Sequence, residues 1–136
     1  AIPPPAANYV PTVRTGNLLF VSGQVSAIPG KKIIGKLGDG MTLEEGQEAA
    51  RLCAINVLAN LKDGAGGLEN IKRIVKLVGF VNCTPDFTDA HKVINGGSDL
   101  ITEVLGPNGK HARSAVGMAS LPLGYAVEIE AIAEIA

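Results

Sequence analysis

The chain has 136 residues, a net charge of −1, 46% apolar residues and only 18% charged ones. That length makes one domain, residues 1–136, with enough apolar material for a core. The absence of any basic block or acidic tail, with 4% aromatics and no Trp, argues against a nucleic-acid binder, which carries a basic stripe with interleaved aromatics.

No apolar run approaches the roughly 20 residues of a membrane-spanning helix, and no signal peptide is apparent. Charge this sparse, with a mean hydropathy of +0.26, hints at surface hidden in an oligomer. Cys53 and Cys83 fit no metal spacing and no CxxC motif, so they read as buried structural thiols in a reduced, cytoplasmic setting. The sequence starts at Ala1 without Met, which leaves room for residues before it.

In chain order, Ile2-Pro3-Pro4-Pro5-Ala6-Ala7 is an extended lead-in, because Pro fixes φ and removes ladder donors. Tyr9–Arg14 reads as a short strand and Leu18–Val21 as a second, ending at Ser22-Gly23. The Thr15-Gly16-Asn17 turn makes them a hairpin. Ala27–Gly40, rich in Gly and Lys, is read as a loop. Thr42-Leu43-Glu44-Glu45 is a capping box. Ala50, Cys53, Ala54, Val57 and Leu61 then follow helical spacing to about Asp63, where Gly64, Gly66 and Gly67 stop the helix.

Ile71–Cys83 is a long strand. Ile74, Val78 and Phe80 are expected on one face, and Val75, Leu77 and Val81 on the other. A strand apolar on both faces is covered on both. One helix layer covers one face, and another subunit is the natural cover for the second. Lys72, Arg73 and Lys76 read as a solvated sheet edge. Phe87–Leu105 is a second helix. Asn95-Gly96-Gly97 inside it predicts a break or kink, since Gly costs a helix about 1 kcal/mol relative to Ala. Those glycines serve close packing or a restart at Ser98, or else Asn95 lines a site.

The last stretch reads as two strands, His111–Ser120 and Tyr125–Ile135, joined by a Pro-Leu-Gly turn. His111, Arg113, Ala115 and Gly117 share one face. Glu128, Glu130, Ile132 and Glu134 point one way, and Val127, Ile129, Ala131, Ala133 and Ile135 the other. An Arg in a small, apolar strand is either paired with a carboxylate or facing a ligand, because an unpartnered buried charge is costly. His111 is expected at the rim, in solvent. Two His without ligand spacing argue against a metal. The element order is strand, strand, helix, strand, helix, strand, strand: an α+β layer fold with helices on one sheet face.

Three matches carry a resemblance over nearly the whole chain. They are Ala112-Arg113-Ser114 with Leu121-Pro122 and Val127-Glu128-Ile129-Glu130-Ala131-Ile132-Ala133; Asn8-Tyr9-Val10 with Gly16–Gln24; and Asn95. Together they resemble the YjgF-type reactive intermediate deaminase family, also labelled endoribonuclease. The resemblance implies the chorismate-mutase-like α+β fold: a mixed sheet backed by two helices, a homotrimer, and sites in the clefts between subunits.

It further implies that Arg113 grips the carboxylate of an imino or keto acid, as a guanidinium can with two parallel hydrogen bonds. Glu128 would position or deprotonate water. Tyr9, Ser22, Gly23, Asn95 and Ala115 would line the substrate site. The residue-level alternatives are a half-buried strand Tyr at Tyr9, an ordinary strand end at Ser22-Gly23, and an ion-pair or surface role for Glu128. Many family members carry Cys where this chain has Ala115, so a thiol is absent from that spot. No cofactor is implied. The reaction expected is hydrolysis of 2-enamines and 2-imines to 2-keto acids and ammonia. A non-catalytic sensor of small carboxylates is the alternative. Ribonuclease action is disfavoured by the near-neutral charge and the lack of a His pair.

Overall fold

The computed structural model describes residues 7–136; the expected lead-in at residues 2–6 lies outside them. The main-chain order is β1 (Thr12–Thr15), β2 (Leu18–Val25), β3 (Ala27–Ile28), β4 (Lys31–Lys32), α1 (Leu43–Ala65), β5 (Ile71–Asn82), α2 (Ala90–Leu105), β6 (Ala112–Met118) and β7 (Val127–Ile135). Five strands form one sheet in the order β1-β2-β7-β5-β6, and β3-β4 is a separate two-stranded ribbon. The sheet is mixed: β5 runs parallel to β6 and antiparallel to β7.

The capping box forms as the sequence predicts. Glu45 N–H donates to Thr42 Oγ1 and Thr42 N–H to the Glu45 carboxylate, satisfying two otherwise orphaned donors. Gly66, at φ +77°, ends the helix in the left-handed conformation that a residue without Cβ adopts at little cost. The stripe Ala50, Cys53, Ala54, Val57 and Leu61 is buried against the sheet. Replacing Thr42 by Ala is expected to lower stability by about 1 kcal/mol. Denaturant melts unchanged from the parent would show that the cap contributes nothing.

Four expectations are corrected. Tyr9 precedes β1 rather than lying within it, and β2 runs on past Ser22-Gly23, with a register shift between Val21 and Gln24. The segment 27–40 is more than a loop. It holds the β3-β4 ribbon, and Leu37 is fully buried, bonded through its backbone to Asn82 and Thr84. In β5 a register shift between Ile74 and Lys76 moves Ile74 to the helix side with Leu77 and Val81. Val78 and Phe80 keep the other face, and Val75 stands exposed rather than buried with Leu77 and Val81, because a bulge reverses the alternation.

The final two strands are not a hairpin. A β5-α2-β6 crossover sets β6 parallel to β5, as a helical connection permits and a tight turn does not. The 119–126 connection then carries the chain past β5, so β7 pairs on the far side of it.

The second helix is unbroken from Ala90 to Leu105, against the expected kink. Its glycines serve packing: a Cβ on Gly96 would lie 2.1 Å from the Gln47 carbonyl oxygen of α1, and one on Gly97 2.8 Å from Ile129 Cδ1. The helix starts at Ala90 because Thr84–Asp89 forms a turn, held by the Thr84 hydroxyl donating to Asp86 at 2.6 Å. That bond holds the Asp86 carboxyl below its ordinary pKa.

Both helices cover one sheet face and enclose the core. The opposite face has no cover from the described residues. Val13, Phe20, Val116 and Met118 stand exposed there, with Val78, Phe80 and Ile132 half-buried among them.

Candidate functional site

Arg113 lies on β6, the edge strand, and points to the helix side. Ala115, two residues on, packs against the core on the same face. The guanidinium is held by α2. Nη1 donates to Asn95 Oδ1 at 2.9 Å and to Ser98 Oγ at 3.2 Å, and Nη2 donates to the His91 carbonyl at 3.1 Å. All three acceptors are neutral. No carboxylate among the described residues forms an ion pair with Arg113 within this chain. Of five N–H donors, Nε–H and one on Nη2 have no acceptor among the described residues. Ser98, Asp99, Thr102, Lys110, His111 and Arg113 line a cleft of about 290 Å³ there.

His111 is not a free rim side chain. Its Nδ1 lies 2.6 Å from the Gly109 carbonyl oxygen and its Nε2 lies 2.9 Å from Ser98 Oγ. Composition gave no sign of this, but spacing could have. His91, Asn95 and Ser98 stand at i, i+4 and i+7, one face of a helix, and that face meets Arg113.

Glu128 is elsewhere. On β7 it alternates with Val127 and Ile129, which pack in the core, so it points to the open face. It sits beside Gly23, where any Cβ would collide with its carboxylate. A side chain there would push the Glu128 carboxylate aside. Tyr9, Gly23, Gln24, Tyr125 and Glu128, with Asn56 and Asn60 of α1, line a cavity of about 370 Å³. Gln24, Asn56, Asn60 and Tyr125 were not anticipated. Ser22 does not line it; its hydroxyl donates to the Val10 carbonyl at 2.7 Å and fastens the segment that carries Tyr9. The candidate residues thus fall into two groups on opposite faces of the sheet: Asn95, Arg113 and Ala115 on one, Tyr9, Gly23 and Glu128 on the other.

Partial burial, and secondarily the charge of Glu130, raises the Glu128 carboxyl above its ordinary pKa of 4.5. The folded chain then holds this proton more tightly than the unfolded chain. Glu128 therefore lowers stability as pH rises from about 4.5 through the raised value. A Glu128→Gln variant, compared with the parent at fixed protein concentration, is expected to lose that part of the fall in urea midpoint between about pH 4 and about pH 7. Parallel pH profiles for the two proteins would contradict it. Burial, then the charge of Glu128, raises the Cys53 thiol well above its ordinary pKa, leaving a neutral, inert core thiol. Among the described residues no helix is long and apolar enough to cross a membrane.

A mixed sheet backed by two helices, with its other face bare and polar clusters on both sides, defines a small α+β domain of the chorismate-mutase-like class. The chain belongs to the YjgF/chorismate mutase-like family, whose description adds an endoribonuclease label; the match spans residues 2–135. It is 48% identical over 133 residues to Protein TCP17 of Trypanosoma cruzi, covering 96% of this chain and 83% of that one. It resembles the crystal structure of Atu1372 from Agrobacterium tumefaciens, described as of unknown function. There the TM-score is 0.92 and the identity 52%, over 96% of this chain and 84% of that chain. The crystal structure of Escherichia coli TdcF with bound serine matches at a TM-score of 0.71 and 28% identity, over 98% and 93% of the two chains.

Proposed function

We propose that the protein hydrolyses reactive 2-enamines and 2-imines to 2-keto acids and ammonia, at clefts shared between copies of this chain in a homotrimer. The observation that carries the reading is Arg113, fixed by neutral partners and left, among the described residues, with two open donors. A guanidinium so presented matches a carboxylate. Glu128 stands on the other sheet face, so a site using both takes Arg113 from one copy and Glu128 from another. The apolar open face gives the copies a surface to meet on.

In such a site Arg113 holds the substrate carboxylate next to the imine carbon. Water adds its oxygen to that carbon, and Glu128 takes the proton. A carboxylate with a raised pKa is a better base for that transfer. The nitrogen gains both protons of the water, the first through Glu128 and the second from the new hydroxyl; the C–N bond breaks with its electrons leaving on nitrogen, and ammonia departs as the carbonyl forms. No cofactor enters this balance. The serine bound to TdcF, a small amino acid, is in the size class of such substrates. Two buried, unpaired thiols fit the reducing cytoplasm as the site of action.

The test is to generate 2-iminobutyrate in solution and follow keto-acid release with and without the protein. Faster release supports the reading, and no acceleration removes it. One observation favours a second reading. Ala115 stands half-buried on the Arg113 face, at the position where the family resemblance leads one to expect Cys, so carboxylate binding beside it would proceed without a thiol's chemistry. A carboxylate sensor would bind 2-oxobutyrate in calorimetry yet leave imine hydrolysis at its background rate. The endoribonuclease reading has the least support, because the chain is near neutral in charge and neither cavity is lined by a pair of histidines.

A further inference from the structure

We propose that Ser98 and His111 are positioning residues for Arg113: His111 accepts the hydrogen bond of the Ser98 hydroxyl, so that the Ser98 oxygen turns its lone pair to the guanidinium. This rests on the carboxylate-binding reading of Arg113 and adds residues to it. The argument starts from the one atom that cannot donate, the Gly109 carbonyl oxygen. His111 Nδ1, 2.6 Å away, must carry the hydrogen between them. In a neutral imidazole Nε2 is then the acceptor. Ser98 Oγ, 2.9 Å from Nε2, donates its only hydrogen there. Its lone pairs are left for Arg113 Nη1 at 3.2 Å.

The direction of each bond therefore follows from the first. A serine free to rotate could turn its hydrogen toward the guanidinium, which has nothing to accept it. The imidazole removes that option. With Asn95 and the His91 carbonyl as the other anchors, the guanidinium plane is fixed before a ligand arrives, and less conformational freedom is lost on binding.

The experiment measures 2-oxobutyrate affinity by calorimetry for the parent and for Arg113→Ala, Ser98→Ala, Ser98→Thr, His111→Ala, His111→Gln and the Ser98→Ala/His111→Ala double variant. Ser98→Ala and His111→Ala are each expected to weaken binding about tenfold, the scale of one lost hydrogen bond. The double variant should bind no worse than either single one, since the residues act in series. Ser98→Thr keeps the hydroxyl and His111→Gln keeps an acceptor, so both should bind near the parent level.

Parent-like affinity in Ser98→Ala, with binding lost in Arg113→Ala, would overturn the positioning role and leave the carboxylate reading standing. Additive losses in the double variant, or a His111→Gln loss equal to that of His111→Ala, would overturn it too. Undiminished binding by Arg113→Ala would instead bring down the carboxylate reading on which it rests.

Discussion

An Arg113→Ala variant is expected to lose about a hundredfold in kcat/KM for imine hydrolysis, the scale of losing a charge-assisted bidentate contact. Its fold should be nearly intact. Arg113 is half-exposed on an edge strand, and its acceptors on α2 are neutral and close enough to solvent to bond water instead. The stability change should stay within about 1 kcal/mol. An Arg113→Lys variant should fare little better than Ala. A point charge with three donors cannot hold Asn95, Ser98 and His91 and also present a planar fork. Near-parent turnover by Arg113→Ala would end the claim that this side chain anchors substrate.

The separation of Arg113 and Glu128 sharpens that experiment. Arg113→Ala chains lack one half of the site, and Glu128→Gln chains the other. Each variant alone should be slow. Unfolded together and refolded as mixed oligomers, they should regain part of the parent rate, because some clefts then draw an intact Arg113 and an intact Glu128 from different copies. Mixtures no faster than either variant would refute a shared site.

The second large effect is structural. Gly96→Ala is expected to destabilise the protein by about 2–4 kcal/mol, although Ala is the better helix former by about 1 kcal/mol. The added Cβ would meet the Gln47 carbonyl oxygen at 2.1 Å and its carbon at 2.8 Å. Both are backbone atoms that no rotamer change can move. Relief requires α1 and α2 to separate, which loosens Val93, Ile94 and Ala50 in the core and shifts the helix face that carries Asn95 and Ser98. Thermal melting of the variant measures this directly. A melting temperature at or above the parent's would mean that the helices are not packed this closely.

These cases also show where reading a sequence stops. The capping box, the α1 stripe and the inside-outside alternation of β7 were legible because each depends on neighbours within a turn or a strand. Arg113 was legible as a lone charge in a small, apolar strand and Asn95 through resemblance, eighteen positions apart with nothing in either segment to join them. Ser98 and His111 went unrecognised because a serine in a helix and a histidine near a turn are ordinary until a third residue lies between them. The kink predicted at Gly96-Gly97 did not form and the close-packing alternative held, because the backbone of the facing helix needs the space.

Periodicity carried the two helices, the five strands of the main sheet to within a few residues, and most of the apolar faces, since these are repeating properties of a chain; the β3-β4 ribbon and the side taken by Ile74 were not among them. Only the tertiary structure decided that β5 enters between β6 and β7, which turns an apparent hairpin into two strands on either side of a third. It also decided that Arg113 and Glu128 occupy opposite faces. Strand order follows from pairing between distant segments and from how a crossover helix returns the chain to the sheet. No local pattern encodes that choice, and it separates the two groups that one chain cannot bring together.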